Sequence, residues 1–361
     1  MAKKVMVAMS GGVDSAVTAF LLRQAGYDIG GATMQLFDSA RPELIQEGAC
    51  GSAQDVEDAK AVAAQIGFAH NVFTFFDEFR GHVMADFARE YEQGRTPNPC
   101  IVCNRRIKFP LIWEKAKAMG YDAMATGHYA RVERDEATGR YVLKKAADTT
   151  KDQTYVLYGL TQEQLAHTMF PLGDWEKKKV RVLAEEHGLG MVAEKPDSQD
   201  ICFIKDGDYA GFLKNVMGLA EKPGQLTDTE GRVLAHHPGV IHYTIGQRKG
   251  LPISMGKPAY VVSKNAETGT VVIGDEADLY AAGLVATDLN WVAIEKLTEP
   301  VAAMVKTRYR QKEVPATMYP MENGGVRVCF EEPQRAITPG QTAVFYQGDA
   351  VLGGGLIISA F

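Results

Sequence analysis

Cysteine and tryptophan are scarce in this chain, with five and three residues respectively among 361. Thiols at Cys50, Cys100, Cys103, Cys202 and Cys329 are too few to staple a chain of this size, so reduced cysteines in a cytoplasmic setting are expected. No apolar run approaches the ~20 residues that cross a bilayer, and no membrane partner is expected. The opening "MAKKVMVAMSGG" sets lysines before apolar residues, but that run breaks at Ser10 and ends in glycines, not in an export cleavage site. Positive charge is in deficit: a formal net charge of −6 excludes a protein that coats nucleic acid nonspecifically. Internal repeats, low-complexity segments and the Walker pattern G-x-x-x-x-G-K-[ST] are also lacking.

What is present is ordinary globular material, 46% hydrophobic and 23% charged, long enough for two or three domains with a sizeable core. Basic islands stand at "RRIK" (105–108), "QRKG" (247–250) and "KTRYRQK" (306–312), each readable as a solvated face or a phosphate contact.

The first part reads as strands alternating with helices. "KKVMVAM" is a short buried strand, "SGG" a turn, and Val13, Val17, Phe20 and Leu21 recur at helical spacing until Gly26. A strand "IGGATMQLF", a helix "AQDVEDAKAVAAQIG", a strand "HNVFTFF", a helix around Glu78 to Tyr91 and a strand "AMATGHYARV" follow. That alternation predicts an α/β domain with a parallel sheet covered by helices. Ligands of such sheets bind at the carboxyl ends of the strands, where Ser10, Met34 and Gly127 fall. From about Lys205 glycine-punctuated short strands ("KPGQLTDTEGRVL", "VIHYTIGQRKG") predict a small, mostly β domain. After about Leu284 alternating strands predict a C-terminal β-barrel. The expected division is 1–205, 206–283 and 284–361.

The sharpest local signal is "SGGVDS", Ser10 to Ser15, between a strand and a helix start. At average residue usage this pattern arises by chance in about one such chain in two thousand, too rarely to be set aside. Glycines let the backbone approach an anion, helix-start N–H groups point at it, and two serine hydroxyls add donors. The loop resembles the pyrophosphate loop of the ATP pyrophosphatases, whose adenine nucleotide alpha hydrolase-like domains cleave ATP between the α and β phosphates. The resemblance implies that Ala8, Met9, Ser10, Gly11, Gly12, Val13, Asp14 and Ser15 hold ATP, with Asp14 acting near the metal and phosphates. Mg²⁺ is expected with it, to neutralise phosphate charge.

"TPNPCIVCNRRIKF" places Cys100 and Cys103 in a C-x-x-C pair. A structural zinc site, which needs a fourth ligand that only His128, Cys50 or another histidine could supply, a dithiol redox pair and sulfur chemistry all remain open from spacing alone. This stretch occurs with "ATGHYAR", "KDQTYVLYGL", "DSQDICFI", "TIGQRKGL", "KTRYRQ" and "TPGQTAVFY", and the whole chain resembles the bacterial tRNA-specific 2-thiouridylases. That resemblance implies ATP-dependent replacement of the C2 oxygen of the wobble uridine by sulfur in the tRNAs for lysine, glutamate and glutamine. Transfer of AMP to the uridine oxygen makes a leaving group. Cys202 corresponds to the family's persulfide-bearing cysteine and Cys103 to its partner. Thiolate is the reactive form, and Arg105, Arg106 and Lys108 are nearby positive charges that would favour it.

Many members of that family carry aspartate where this chain has Cys100. A third thiol opens a second mechanism, in which Cys100, Cys103 and Cys202 hold a [4Fe–4S] cluster whose fourth iron binds sulfide. The sulfur source is then free sulfide, not a donor or carrier protein. Cys50 is expected as an accessory or core thiol, and Cys329 in "VRVCF" as barrel packing.

By the same resemblance Asn98, Pro99 and Cys100 line the pocket for a base flipped out of the anticodon loop. Lys151, Asp152 and Gln153 touch the RNA, and His128 stands beside the site. Met34 and Gly127 match positions contacting adenine and ribose; without the resemblance they read as a core methionine and a turn glycine. In "KTRYR" a period of two puts Lys306, Arg308 and Arg310 on one strand face as a phosphate-binding row, with Tyr309 opposite. Gln341 in "TPGQ" completes the RNA-contacting set, and the chain is expected to be monomeric when free. A small-molecule ligase sharing "SGGVDS", which has no use for Cys103 and Cys202, and a non-catalytic RNA-binding relative stand as alternatives.

Overall fold

The structure, a computed structural model, describes residues 2–37, 51–195, 200–204, 207–253 and 256–361. Cys50 lies outside the described residues. The chain divides into two compact units: Met1–Val83, Cys100–Asp208 and Asp349–Val351 form one, and Met84–Pro99, Tyr209–Gly348 and Leu352–Phe361 the other.

The first unit is built on strands β1 (Lys4–Ala8), β2 (Asp28–Gln35), β3 (His70–Thr74) and β4 (Ala123–Thr126), with helices α1 (Val13–Gln24) and α2 (Ala53–Ile66). The sheet runs β3-β2-β1-β4 and ends with Thr168–Met169, every pairing parallel. Val5, Met6 and Val7 are fully buried, as expected of a strand covered on both faces. Val13, Ala16, Val17 and Ala19 of α1 pack with Ala59 and Val62 of α2, and with Val180 and Ala184 of the helix Lys177–Glu186.

The chain passes from β1 outward to β2 and β3, then returns to place β4 on the other side of β1. The register Ala8↔Ala32 and Ala8↔Thr126 therefore brings three strand ends together where the winding reverses, the place where open α/β sheets bind ligands. The expected strand "AMATGHYARV" stops at Thr126; a Cβ on Gly127 would lie 2.8 Å from the carbonyl carbon of Asp14. Arg131–Arg134 instead pairs with Tyr141–Lys144 as a hairpin.

One long helical run, 99–118, was not anticipated. It comprises Pro99–Cys103, a π-form stretch Asn104–Lys108, and Phe109–Ala118. Pro99 suits a first helical position because the N–H it lacks has no intrahelical partner there. Pro110 has no N–H to return to the preceding turn, and the wider π-form turn just ahead of it accommodates that loss.

In the second unit a four-stranded sheet runs Tyr260–Asn265, Thr270–Gly274, Gly224–Thr227, Val233–His237. "VIHYTIGQRKG" contributes no strand to it, forming a 3-10 turn at Val240–His242 and further turns. A barrel follows in the order Tyr280–Trp291, Val326–Arg335, Val314–Pro320, Val301–Lys306, Thr342–Gln347, Ala350–Ala360, and the last strand pairs back on the first. Closure removes the exposed edges an open sheet would present.

Two expectations about the barrel are corrected. The strand through "KTRYR" ends at Lys306, because the Gln311 Oε1 takes both the backbone N–H of Thr307 (3.1 Å) and its hydroxyl (2.6 Å) and closes a turn. Lys306, Arg308 and Arg310 therefore do not share a strand face. In Val326–Arg335 the buried register is Val326, Val328 and Phe330, so Cys329 falls on the opposite, half-exposed register and not in the barrel core.

Candidate active site

The loop Ser10–Ser15 leaves the carboxyl end of β1 and becomes the first turn of α1. Gly11 takes φ +71°, and a Cβ there would sit 2.5 Å from the Asp55 carbonyl oxygen, so only glycine fits. Gly12 is the N-cap of α1 and supplies no capping side chain, which leaves first-turn N–H groups to an incoming anion. The Ser15 hydroxyl donates to the Gly12 carbonyl (2.9 Å) and accepts from the Ser10 N–H (3.2 Å). Met9, Val13 and Ser15 are buried and shape the loop from beneath; Ser10 is exposed, and Ala8, Gly12 and Asp14 are half-buried. Met34 on β2 and Gly127 after β4 are half-buried on either side.

Asp14 is held by residues far from it in sequence. Its Oδ1 accepts from the Tyr129 hydroxyl at 2.8 Å, and the Lys177 ammonium reaches Oδ1 at 2.8 Å and Oδ2 at 2.7 Å. Tyr129 is fixed in turn by Gln153, whose Oε1 accepts from the Tyr129 N–H and whose own N–H donates to the Tyr129 carbonyl, both at 2.9 Å. The backbone N–H of Lys177 donates to Asp148 at 3.0 Å. On the other side of the loop the Lys195 ammonium donates to the Gly11 carbonyl (3.3 Å), to Asp55 (3.3 Å) and to Asp58. Burial opposes that charge, but the Asp58 and Asp55 carboxylates outweigh it and hold the Lys195 pKa above its ordinary value. Tyr129, Lys177 and Lys195 were not among the residues expected from sequence.

His128 follows β4, with Nδ1 2.7 Å from the Thr126 hydroxyl and Nε2 3.4 Å from the Lys108 ammonium. Desolvation, with the Lys108 charge added, pushes its pKa well below the ordinary value, so the imidazole is neutral at pH 7. Cys100 and Cys103 occupy the first turns of the 99–118 run, three residues apart and hence on one face; Cys100 is exposed and Cys103 half-buried. Buried Asn104 donates to the Val156 carbonyl at 2.9 Å and ties that run to the segment after Gln153.

Cys202 is half-buried, and the adjacent Phe203 is anchored edge-on against Phe79 at 5.8 Å. Among the described residues no three His, Cys, Asp or Glu side chains form a group able to hold a metal ion.

Several residues expected to touch RNA make contacts within the protein. Asp152 accepts from the Ala146 N–H (3.1 Å) and the Thr154 hydroxyl (2.7 Å), beside Gln153 on Tyr129, while Lys151 is half-buried. In the second unit Arg308 donates to the carbonyls of Ala336 (2.7 Å) and Ile245 (3.3 Å) and to the Thr338 hydroxyl (2.7 Å). Tyr309 is exposed. Gln341 donates to the Thr96 carbonyl at 2.7 Å; Asn98, at the end of the same segment, is half-buried and Pro99 buried.

Residues 3–206 match the family described as tRNA methyl transferase HUP domain, 210–275 its PRC-barrel domain, and 281–357 the aminomethyltransferase β-barrel domain. The tRNA-specific 2-thiouridylase MnmA of Acetivibrio thermocellus is 52% identical over 356 residues, 98% of this chain and 99% of that protein. The protein of the same name from Clostridioides difficile is 49% identical over 358 residues, 99% of this chain and 98% of that protein. A third, MnmA 2 of Caldanaerobacter subterraneus, is 51% identical over 355 residues, 98% of this chain and 97% of that protein. At that identity from end to end, the chain belongs to the bacterial tRNA-specific 2-thiouridylase family.

Proposed function

We propose that the protein converts the wobble uridine of the tRNAs for lysine, glutamate and glutamine to 2-thiouridine, consuming ATP and releasing AMP and pyrophosphate. The observation that carries this reading is the anion-receiving loop Ser10–Ser15, set at the reversal of the parallel sheet in a chain related end to end to 2-thiouridylases. The uridine C2 oxygen attacks the α-phosphorus of ATP and pyrophosphate leaves along the loop, whose N–H groups suit an anion. Mg²⁺ would lie at Asp14 and the phosphates; Asp14 offers carboxylate oxygens, and Mg²⁺ ordinarily takes one or two carboxylates with its nucleotide.

The terminal sulfur of a Cys202 persulfide then attacks C2 and expels AMP. The Cys103 thiolate attacks the Cys202 sulfur, which frees the 2-thiouridine and leaves a Cys103–Cys202 disulfide for an external thiol to reduce. The sulfur reaches Cys202 from a donor or carrier protein. Neutral His128 and the residues Asn98 to Cys100 receive the flipped base. The segment 1–205 performs the chemistry, while 206–283 and 284–361 present the RNA.

The test is 2-thiouridine formation on a lysine tRNA transcript without oxygen, scored by nucleoside mass spectrometry, with either a persulfide donor or sulfide plus reconstituted iron. Product with the persulfide donor, indifferent to iron removal, supports the scheme. Product only from sulfide and lost with iron replaces it with cluster chemistry. A methylated uridine as the product overturns the thiolation reading.

A further inference from the structure

The loop that receives an anion carries a carboxylate of its own, and resting on the ATP reading above, its neutralisation needs an account. Asp14 lies in the first turn of α1, its side chain 31% exposed, where a negative charge suits the helix start but opposes polyphosphate. The Lys177 ammonium, on a side chain only 8% exposed, contacts both carboxylate oxygens from 163 residues away. It does not arrive there on a loose tether. Lys177 opens the helix Lys177–Glu186, its N–H is fixed by Asp148, and Asp148 is braced by the N–H (3.0 Å) and hydroxyl (2.6 Å) of Thr150. The ammonium also lies 5.8 Å from the centre of the Tyr129 ring, whose hydroxyl shares Asp14.

A long side chain held this far from water, on a backbone held by a second carboxylate, exceeds what an ordinary surface ion pair requires. We propose that Lys177 is the resident counter-ion of Asp14, keeping the empty loop receptive to phosphate, and that Mg²⁺ takes its place on the carboxylate when Mg²⁺–ATP binds. Lys177 is then a positioning residue for nucleotide binding. It acts through Asp14, and its loss matters most when no Mg²⁺ is present to neutralise that carboxylate.

The experiment measures ATP affinity by calorimetry in EDTA and in excess Mg²⁺, for wild type, Lys177→Met and the double variant Asp14→Asn/Lys177→Met. An unreactive tRNA transcript with cytidine at the wobble position is present throughout. Lys177→Met is expected to bind Mg²⁺-free ATP at least tenfold more weakly than wild type, and Mg²⁺ to recover most of the loss. The double variant, with the carboxylate gone, is expected to bind Mg²⁺-free ATP within about threefold of wild type and to gain little from Mg²⁺. Equal weakening of Lys177→Met with and without Mg²⁺, or no weakening, overturns the counter-ion role. Should Lys177→Met fail to fold, the double variant decides, and a tenfold loss there in EDTA overturns it. Wild type that binds no ATP in either condition overturns the ATP reading itself and the inference with it.

Discussion

The carboxamide of Gln341 donates to the carbonyl oxygen of Thr96 at 2.7 Å, across 245 residues of sequence. The Thr96 N–H completes the link by donating to the Pro339 carbonyl at 2.9 Å, and Gly340 (φ +92°) approaches so closely that a Cβ would lie 2.6 Å from the Thr96 nitrogen. The loop Thr338–Gln341 therefore fixes the segment that leads into Pro99 and Cys100. Gln341→Ala leaves a carbonyl without its donor, at a cost of about 1–2 kcal/mol. The expected result is a lowered unfolding midpoint with tRNA affinity changed less than threefold. An unchanged midpoint with a tenfold weaker tRNA Kd would instead make Gln341 an RNA contact.

Gly11 separates loop geometry from loop chemistry. Gly11→Ala puts a methyl against the Asp55 backbone at φ +71°, so the loop must shift. That strain is on the order of 1–3 kcal/mol. ATP affinity is expected to fall at least tenfold, while tRNA affinity, measured by filter binding, holds. Full ATP affinity in the variant would show that the loop is not the phosphate site.

The loop was legible in sequence because its constraint is local: glycine where φ is positive, glycine where the backbone must approach, a helix start directly after. The network around Asp14 was not, since Tyr129 and Lys177 lie 115 and 163 residues away and neither carries a local pattern. The 99–118 helix carries no plain helical signal because Pro99 and Pro110 stand in it, the first at its start and the second just after a π-form stretch. In the barrel, alternation revealed the strands but not where one ends or which register faces inward. Arg308 leaves its strand's period to grip backbone carbonyls, and Cys329 takes the outer register of a strand whose valines take the inner one.

The cysteines divide the proposed chemistry. Cys202→Ser and Cys103→Ser are expected to reduce 2-thiouridine to below one-hundredth of wild type while tRNA-dependent pyrophosphate release continues, because adenylation precedes sulfur transfer. Cys100→Ser is expected to retain product within about threefold with a persulfide donor. Loss of product in Cys100→Ser to the level of Cys103→Ser would place all three thiols in one ligand set.

Lys264 offers a test of the second unit's packing through pH. Its ammonium donates to the Tyr243 carbonyl at 2.6 Å and lies 5.8 Å from the centre of the Tyr91 ring, which stacks on Tyr209 at 5.2 Å. Burial pulls its pKa down from 10.5 to about 8, because the site disfavours the charged form. Below pH 8 both folded and unfolded chains carry the proton, and the folded chain bears the whole cost of the buried charge. Between about 8 and 10.5 the unfolded chain keeps a proton that the folded chain has released, so this group makes stability rise with pH, by about 3 kcal/mol over the interval. Above 10.5 both forms are neutral and the cost is gone. Lys264→Met removes the titration, and with it this rise. Urea unfolding of both chains from pH 7 to 10 is expected to give a difference in stability that shifts in favour of the wild type by at least 2 kcal/mol, most of the ~3 kcal/mol above; parallel curves would mean that Lys264 keeps its ordinary pKa.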